Sequence, residues 1–410
     1  MLKNEEMLLT LHDNVYLVKG KLFGCIYDFN TLKLYHINKR LVDLIDNINI
    51  NEKKLKEIEC FESREILNRL LEYKILKLTT LKQKKTIQEI RLLDQGIKFA
   101  WIEITTKCNL KCIHCYNNSS IKCMKKMSID DFKDTIDSLL KINIKKIQII
   151  GGEPFIVEEL REMIDYAIGK FEFIEIFTNG TLITDKWIKY LKNNNIRVAL
   201  SVYSYDAKEH DKVTTVKGSH KKTHSIIEKL YNNDIKYRVC NVIMKNIDLG
   251  KRNTNLYKLN PKKDILRISG RGDISFLSKE NLKNKLITKD TFTKPLNKDL
   301  CQRMVSGHNC FRNKIYIGVD KTIYACVMER RITHGKIAKN HNIKLNEHIL
   351  NFNKDFVDEC RYCEFRYTCF DCRPDSIIEN IYSKPWYCTY DPLKGKWENP
   401  EKFIDSIMSF

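Results

Sequence analysis

Lys107-Cys108-Asn109-Leu110-Lys111-Cys112-Ile113-His114-Cys115-Tyr116 is the stretch on which the reading of this chain turns. Its three cysteines, spaced C-x3-C-x2-C, fit one tight loop where their thiolates reach a single soft metal centre. A 4Fe–4S cube has four irons, usually held by Cys thiolates. Three ligands leave one iron open, and an open iron can hold a substrate as well as pass an electron. A partial zinc site is the other chemistry that suits such a triplet. The residues just before it, Phe99-Ala100-Trp101-Ile102-Glu103-Ile104-Thr105-Thr106, read as a strand that ends in this loop.

Working outward, 410 residues are enough for two or three domains and a large core. The formal charge is +20, from 72 Lys and Arg against 52 Asp and Glu. Such a field attracts acidic peptides, nucleic acid or anionic membrane. Lys, Asn and Ile crowd the whole sequence, however, as a general codon bias would produce, so no nucleic-acid partner is expected. No apolar run approaches the ~18 residues of a membrane span. The charged start, Met1-Leu2-Lys3-Asn4-Glu5-Glu6, has no signal-peptide core. A soluble, cytoplasmic protein with no membrane partner is expected. Fifteen cysteines in such a chain point to metal binding rather than disulfides. Three lie in the opening loop and eight between Cys301 and Cys388. Cys25, Cys60, Cys123 and Cys240 read as small core residues or ordinary thiols.

Residues 1–95 carry no metal motif. Asn14 to Val18, Phe23 to Tyr27 and Lys33 to Ile37 read as strands, the last two joined through Asp28-Phe29-Asn30. Helical patterns follow over Arg40 to Ile48, Asn51 to Cys60 and Ser63 to Tyr73, with Ser63 as N-cap, and Ile75 to Leu78 returns as a strand. The pattern suggests a small winged-helix-like domain. It resembles the leader-peptide recognition domains of enzymes that modify ribosomally made peptides; a dimerising module or a DNA-binding winged helix is the alternative.

Over about 96–270 the period alternates. Strands are expected at Lys146 to Ile150, Ile174 to Phe177, Arg197 to Val202, Tyr237 to Ile243 and Ile265 to Ile268. Helices are expected from Ser128, as N-cap, to Lys141, and at Val157 to Lys170, Asp185 to Asn193 and Ser219 to Asn232. With the strand before the cysteines this makes six strands in β/α alternation, an α/β domain with a parallel sheet. Sites in such folds lie at the C-terminal strand ends. Gly151-Gly152-Glu153-Pro154 follows the second strand directly, and two glycines let backbone approach a ligand closely.

Together the cysteine loop and this turn resemble the radical S-adenosylmethionine (SAM) enzymes, whose open iron chelates the amino and carboxylate groups of SAM. The resemblance implies a partial (βα)6 barrel. It places Cys108, Cys112 and Cys115 on the cluster, with His114 at the family's aromatic position. It also places Gly151, Gly152, Glu153, Pro154, Thr178, Asn179 and Ser201 around SAM. His210-Asp211 and Gly218-Ser219 resemble a further family segment in which many members hold the SAM carboxylate with an arginine. Thr214 stands there in this chain, so that contact is assigned to no residue.

Residues 271–410 hold Cys301, Cys310 and Cys326, the compact Cys360-x2-Cys363-x5-Cys369-x2-Cys372 block, and Cys388. The block alone suits a zinc ribbon as well as a cluster. With the upstream loop, the set resembles the SPASM extension of radical SAM peptide maturases, which implies two auxiliary 4Fe–4S clusters and so three in all. Family interleaving gives Cys301, Cys310, Cys326 and Cys372 to one and Cys360, Cys363, Cys369 and Cys388 to the other. Lys321 stands where the family has a turn glycine, and the Cys369–Cys372 gap is one residue short. The implied activity is reductive SAM cleavage and an oxidative crosslink, a Cys thioether or a carbon–carbon bond, in a precursor peptide of ranthipeptide or grasp-with-spasm kind. The implied electron donor is a reductase such as flavodoxin or ferredoxin. An anaerobic sulfatase-maturating enzyme, or a non-catalytic Fe–S or zinc protein that binds peptide or DNA, is the alternative.

Overall fold

The structure, a computed structural model, describes residues 7–51, 60–81, 83–93, 96–257, 263–338, 342–376 and 380–409. The chain divides into two compact units. One comprises Met1–Gln95, Leu286–Asn309 and Asn351–Phe403, the other Gly96–Lys285, Cys310–Leu350 and Ile404–Phe410. The stretch expected as a third domain, 271–410, is therefore shared between them.

In the first unit β2 (Val15–Lys19), β3 (Phe23–Asp28) and β4 (Lys33–Asn38) form an antiparallel meander. The Asp28 carboxylate closes its second turn, accepting from the Asn30 and Thr31 amides and the Thr31 hydroxyl. α1 (Lys39–Asn51) and α2 (Phe61–Glu72) follow, and β5 (Leu76–Thr79) pairs with β1 (Leu8–Leu11), a strand the sequence pattern did not reveal. α2 starts two residues early, with Cys60 rather than Ser63 at the N-cap. The helix expected over Asn51 to Cys60 lies, but for its end residues, outside the described residues. Leu9, Leu11, Val15, Ile26, Val42, Ile45, Ile48 and Leu67 make one core. In a second core Tyr16, Tyr27, Phe29 and Ile90 pack with Cys301, Val305, Phe365, Tyr367 and Tyr390. The N-terminal residues are thus built into the same body as the cysteine block.

The second unit is a sheet in the order expected of β/α alternation. β6 (Phe99–Glu103), β7 (Lys146–Ile150), β8 (Phe173–Thr178), β9 (Arg197–Ser201), β10 (Tyr237–Ile243) and β11 (Lys263–Ile265) lie side by side and parallel. Isoleucine-rich strands such as Lys-Ile-Gln-Ile-Ile suit a sheet buried on both faces, and Ile102, Ile147, Ile149, Ile176, Val198 and Leu200 are inaccessible or nearly so. The sheet is open. Beyond β6 it continues through β12 (Lys314–Ile317, parallel), β13 (Thr322–Tyr324) and β14 (Thr333–Lys336), strands that the sequence reading had not joined to it. Lys321 takes a left-handed backbone (φ 63°) in the β12–β13 turn, the conformation a glycine would supply. Its ammonium meets Asp131 at 2.6 Å and Asp134 at 3.5 Å.

Between β6 and β10 run the helices α3 (Ile129–Lys141), α4 (Leu160–Ala167), α5 (Asp185–Asn193), α6 (Ala207–Thr214) and α7 (Ser219–Asn232). Ser128 caps α3 by accepting from the Asp131 amide, as expected. α4 is shorter than the pattern implied, because Pro154–Ile156 forms a separate 3-10 turn capped by Glu153 and Gly169 follows at φ 77°. β11 ends at Ile265 rather than starting there, so Arg267 belongs to the loop beyond the strand. Among the described residues no helix is long and apolar enough to cross a membrane.

Candidate active site and cysteine clusters

The loops at the C-terminal ends of β6 to β11 enclose a cavity of about 580 Å³. Cys108, Cys112, His114 and Cys115 line it from the β6 loop, Gly151 and Gly152 from β7, Thr178 and Asn179 from β8, and Ser201 from β9. Nine of the residues singled out from sequence for this site therefore share one wall.

The cysteine loop is held by hydrogen bonds from three sides. Gly152 N donates to Thr105 O at 2.7 Å and Glu153 N to Lys107 O at 2.9 Å. Lys111 N and Ile113 N donate to the Thr214 and Val213 carbonyls at the end of α6. Arg271 closes the third side, its Nε donating to Cys112 O and its Nη2 to Ser119 O, both at 2.9 Å. The side chain of Asn179 bonds Asn109 at 2.9 Å and approaches Cys108 Sγ at 3.8 Å. Both glycines are required by contact: a Cβ on Gly151 would sit 2.4 Å from Thr105 O, and one on Gly152 2.2 Å from Lys107 O.

Glu153 and Pro154 do not line the cavity. Glu153 is fully buried behind it and accepts from Phe155 N (3.1 Å), Thr178 Oγ1 (2.7 Å) and Asn179 N (2.8 Å). It ties the β7 turn to the end of β8. Burial pushes its carboxyl up to about 7, against the pull of those three donors. Thr214 is also buried away from the cavity, its hydroxyl 2.6 Å from Ser219 Oγ, and its carbonyl braces the cysteine loop. The guanidinium groups lining the cavity are those of Arg238, Arg267 and Arg271, and no Asp or Glu is among its described lining residues. Arg238 is neutralised from behind by Glu175 at 2.8 Å.

Sequence reading missed Tyr203, Cys240 and these arginines. Tyr203 packs edge-on against His114 at 4.6 Å, and Cys240, read as an ordinary thiol, lines the cavity with Arg238 Nη1 3.0 Å from its sulfur. Inward alternation along β10 would have placed Arg238 and Cys240 on one face. His114 Nδ1 is buried with no hydrogen-bond partner among the described residues, and burial, helped by Arg271, pushes the ring down to about 4. Burial also pushes Cys108 and Cys112 up to about 12. Thiolates at such positions need a positive centre beside them, so the donor set fits a cationic Fe–S cluster.

Residues 102–247 match the radical SAM superfamily. They form a radical SAM domain. The chain is 36% identical to AlbA, the subtilosin biosynthesis protein of Bacillus subtilis, over 143 residues, 34% of this chain and 32% of AlbA. It is 32% identical to the mycofactocin maturase MftC of Mycolicibacterium smegmatis over 143 residues, 35% of this chain and 36% of MftC. It is also 31% identical to GTP 3′,8-cyclase of Clostridium perfringens over 158 residues, 37% of this chain and 48% of the cyclase. The chain thus spans 32% to 48% of the length of these curated relatives. In fold it is similar to Streptococcus suis SuiB, with a TM-score of 0.52 at 12% identity over 93% of this chain and all of that one.

Outside the radical SAM domain, Cys360, Cys363, Cys369 and Cys388 line one small cavity (about 20 Å³) in the first unit, with Lys354, Arg366 and Tyr390. These are the four that the family interleaving grouped. Burial raises all four thiols, and Lys354 donates to Cys369 Sγ at 3.0 Å. The donors here also suit a cluster. Cys301 and Cys372 belong to the first unit, Cys310 and Cys326 to the second. Among the described residues no three Cys, His, Asp or Glu groups are drawn tightly enough together to chelate a single ion; the cysteines share cavities rather than one point.

Proposed function

We propose that the chain is a radical SAM maturase that crosslinks a ribosomally made precursor peptide. The observation that carries this reading is the cavity in which the three cysteines of the C-x3-C-x2-C loop meet Gly151, Gly152, Thr178, Asn179 and Ser201. When bound there, a 4Fe–4S cluster and SAM supply a 5′-deoxyadenosyl radical that takes a hydrogen atom from the substrate. Cys108, Cys112 and Cys115 would hold the cluster, and Arg271 keeps their loop closed. The backbone of the Gly-Gly turn and the side chains at the ends of β8 and β9 would orient SAM, beside the guanidinium groups that line the cavity. The cavity, lined from six strand ends, keeps water from the reacting carbon.

The relatives include a GTP cyclase as well as AlbA and MftC, so the radical SAM domain by itself does not choose the substrate. A peptide is favoured by the second cysteine set, which a lone radical SAM domain does not need, and by the two maturases among the relatives. In this reading Cys360, Cys363, Cys369 and Cys388 hold an auxiliary cluster. Residues 1–95 recognise the leader. The partners are the precursor peptide and a low-potential reductase such as flavodoxin or ferredoxin, in the cytoplasm. The bond formed is a thioether from a peptide Cys to carbon, with loss of two hydrogens per link.

Iron counting and mass spectrometry test it. Replacing Cys108, Cys112 and Cys115 with Ala in anaerobically reconstituted protein should remove about four irons and abolish reductive SAM cleavage. A short Cys-bearing peptide encoded beside the gene should lose two hydrogens per link and one alkylatable thiol. Unchanged iron in the triple variant sinks the cluster assignment. Full alkylation after hydrogen loss sinks the thioether in favour of a carbon–carbon link. Deleting residues 1–90 is not a clean test of leader binding, since Tyr16, Tyr27, Phe29 and Ile90 share a core with Phe365, Tyr367 and Tyr390.

A further inference from the structure

Lys354 is a buried ammonium with an unusual neighbour. It is 3% exposed, and its Nζ donates to Cys369 Sγ at 3.0 Å while pairing with Asp371 Oδ1 at 3.3 Å. Asp371 is itself fully buried and is held from its other oxygen by Arg373, whose guanidinium also donates to the Ile381 and Ser383 carbonyls at 3.0 Å. Lys354 and Arg373 therefore share one carboxylate, with His308 Nε2 3.7 Å from it, and the Lys354 ammonium lines the cavity of Cys360, Cys363, Cys369 and Cys388. A lysine is rarely buried without a compelling partner. Asp371 already has Arg373, so a folding role for the carboxylate does not by itself require Lys354 beside it. What Lys354 adds is a charged N–H aimed at a cysteine sulfur.

We propose that Lys354 is a positioning and tuning residue for the Fe–S cluster held by these four thiolates, raising its reduction potential. The proposal rests on the reading that Cys360, Cys363, Cys369 and Cys388 hold such a cluster. Reduction adds negative charge to a thiolate-bound cluster. A hydrogen bond to a ligand sulfur and a cation within the low-dielectric wall both favour the more negative state. Because the charge-assisted bond and the charge are separable, two substitutions grade the effect. Lys354→Gln keeps an N–H donor and removes the charge, while Lys354→Met removes both. Arg373 continues to pair Asp371 in either protein.

The test uses full-length, anaerobically reconstituted protein carrying Cys108, Cys112 and Cys115 as Ala, so that the radical SAM cluster does not contribute. Iron per chain and the midpoint potential of the signal that disappears in a Cys363→Ala protein are measured by EPR-monitored redox titration. The expected order is wild-type Lys354 highest, Gln lower and Met lowest. The Met protein should shift the reduced-to-oxidised ratio about tenfold, the size of one charged hydrogen bond, or about 59 mV for a one-electron couple. Should the Met protein fail to fold, the Gln protein alone decides, since its potential must still fall below wild type. Full iron with an unshifted potential in the folded variants overturns the role of Lys354. Failure of the underlying reading looks different: the Cys363→Ala protein would then keep all its iron and every signal.

Discussion

Replacing Gly152 with Ala should disable the site from the second coordination layer outward, without touching a cysteine. The added methyl would lie 2.2 Å from Lys107 O, 2.6 Å from Lys107 C and 2.8 Å from Thr106 O. All three are backbone atoms, so no side chain can swing aside. Comfortable contact for carbon is about 3.5 Å or more. The Gly-Gly turn and the cysteine loop must then separate by roughly 1 Å, and the bonds Gly152 N to Thr105 O and Glu153 N to Lys107 O resist that separation. Overpacking of this kind costs about 1–3 kcal/mol, which a domain with a large buried core survives. The site suffers more than the fold, because Lys107 adjoins Cys108. A misplacement of about 1 Å can cost on the order of 100-fold in rate. The assay is 5′-deoxyadenosine formation from SAM under dithionite, with thermal melting and iron per chain measured on the same preparation. A folded Gly152→Ala protein with full iron that cleaves SAM within twofold of wild type would refute the reasoning.

Two further outcomes follow from the loop's supports. Arg271→Ala removes two charged hydrogen bonds to Cys112 O and Ser119 O, each worth roughly 1.5–3 kcal/mol; its cluster should be stripped faster by a chelator at unchanged melting temperature of the first unit, and equal stripping rates would count against the brace. Glu153 has a folded value raised to about 7 from 4.5, so the unfolded chain releases its proton first. Its contribution is therefore full below pH 4.5, falls between pH 4.5 and 7 by on the order of 3 kcal/mol, and is level above. Glu153→Gln should flatten that part of the stability–pH curve, and an unchanged slope would exclude Glu153 as its source.

Much of the fold was legible because its signals are local. β7 and β10, α5 and α7 fall where periodicity put them, and Ser128 caps the helix it should. The departures have non-local causes. β12 joins the sheet beside β6 although more than two hundred residues separate them in sequence, and no window of periodicity carries that pairing. β1 becomes a strand by pairing with β5 across the length of the N-terminal region. α4 is cut short because Glu153 caps a 3-10 turn just ahead of it. The motif residues divide for the same reason. Gly151 and Gly152 face the cavity, while Glu153, one residue on, turns its carboxylate to the donors behind the wall.

That division says something about how this site is specified. The residues a motif exposes to a ligand are small or backbone-like here, and the residue that fixes their geometry is the buried charged one. Thr214 makes the same point in reverse. At the position where a family arginine was expected, a small side chain closes on Ser219 and leaves its carbonyl to hold Lys111, while the guanidinium that meets the cysteine loop arrives from Arg271. Gly270, just before it, has φ 61° and lies so close to Cys115 O and Tyr116 O that a Cβ would stand 2.4 Å from each. A left-handed glycine is what lets the chain press its backbone against the loop and deliver the next side chain to Cys112 and Ser119. Neither residue belongs to a motif, yet together they support the third side of the loop.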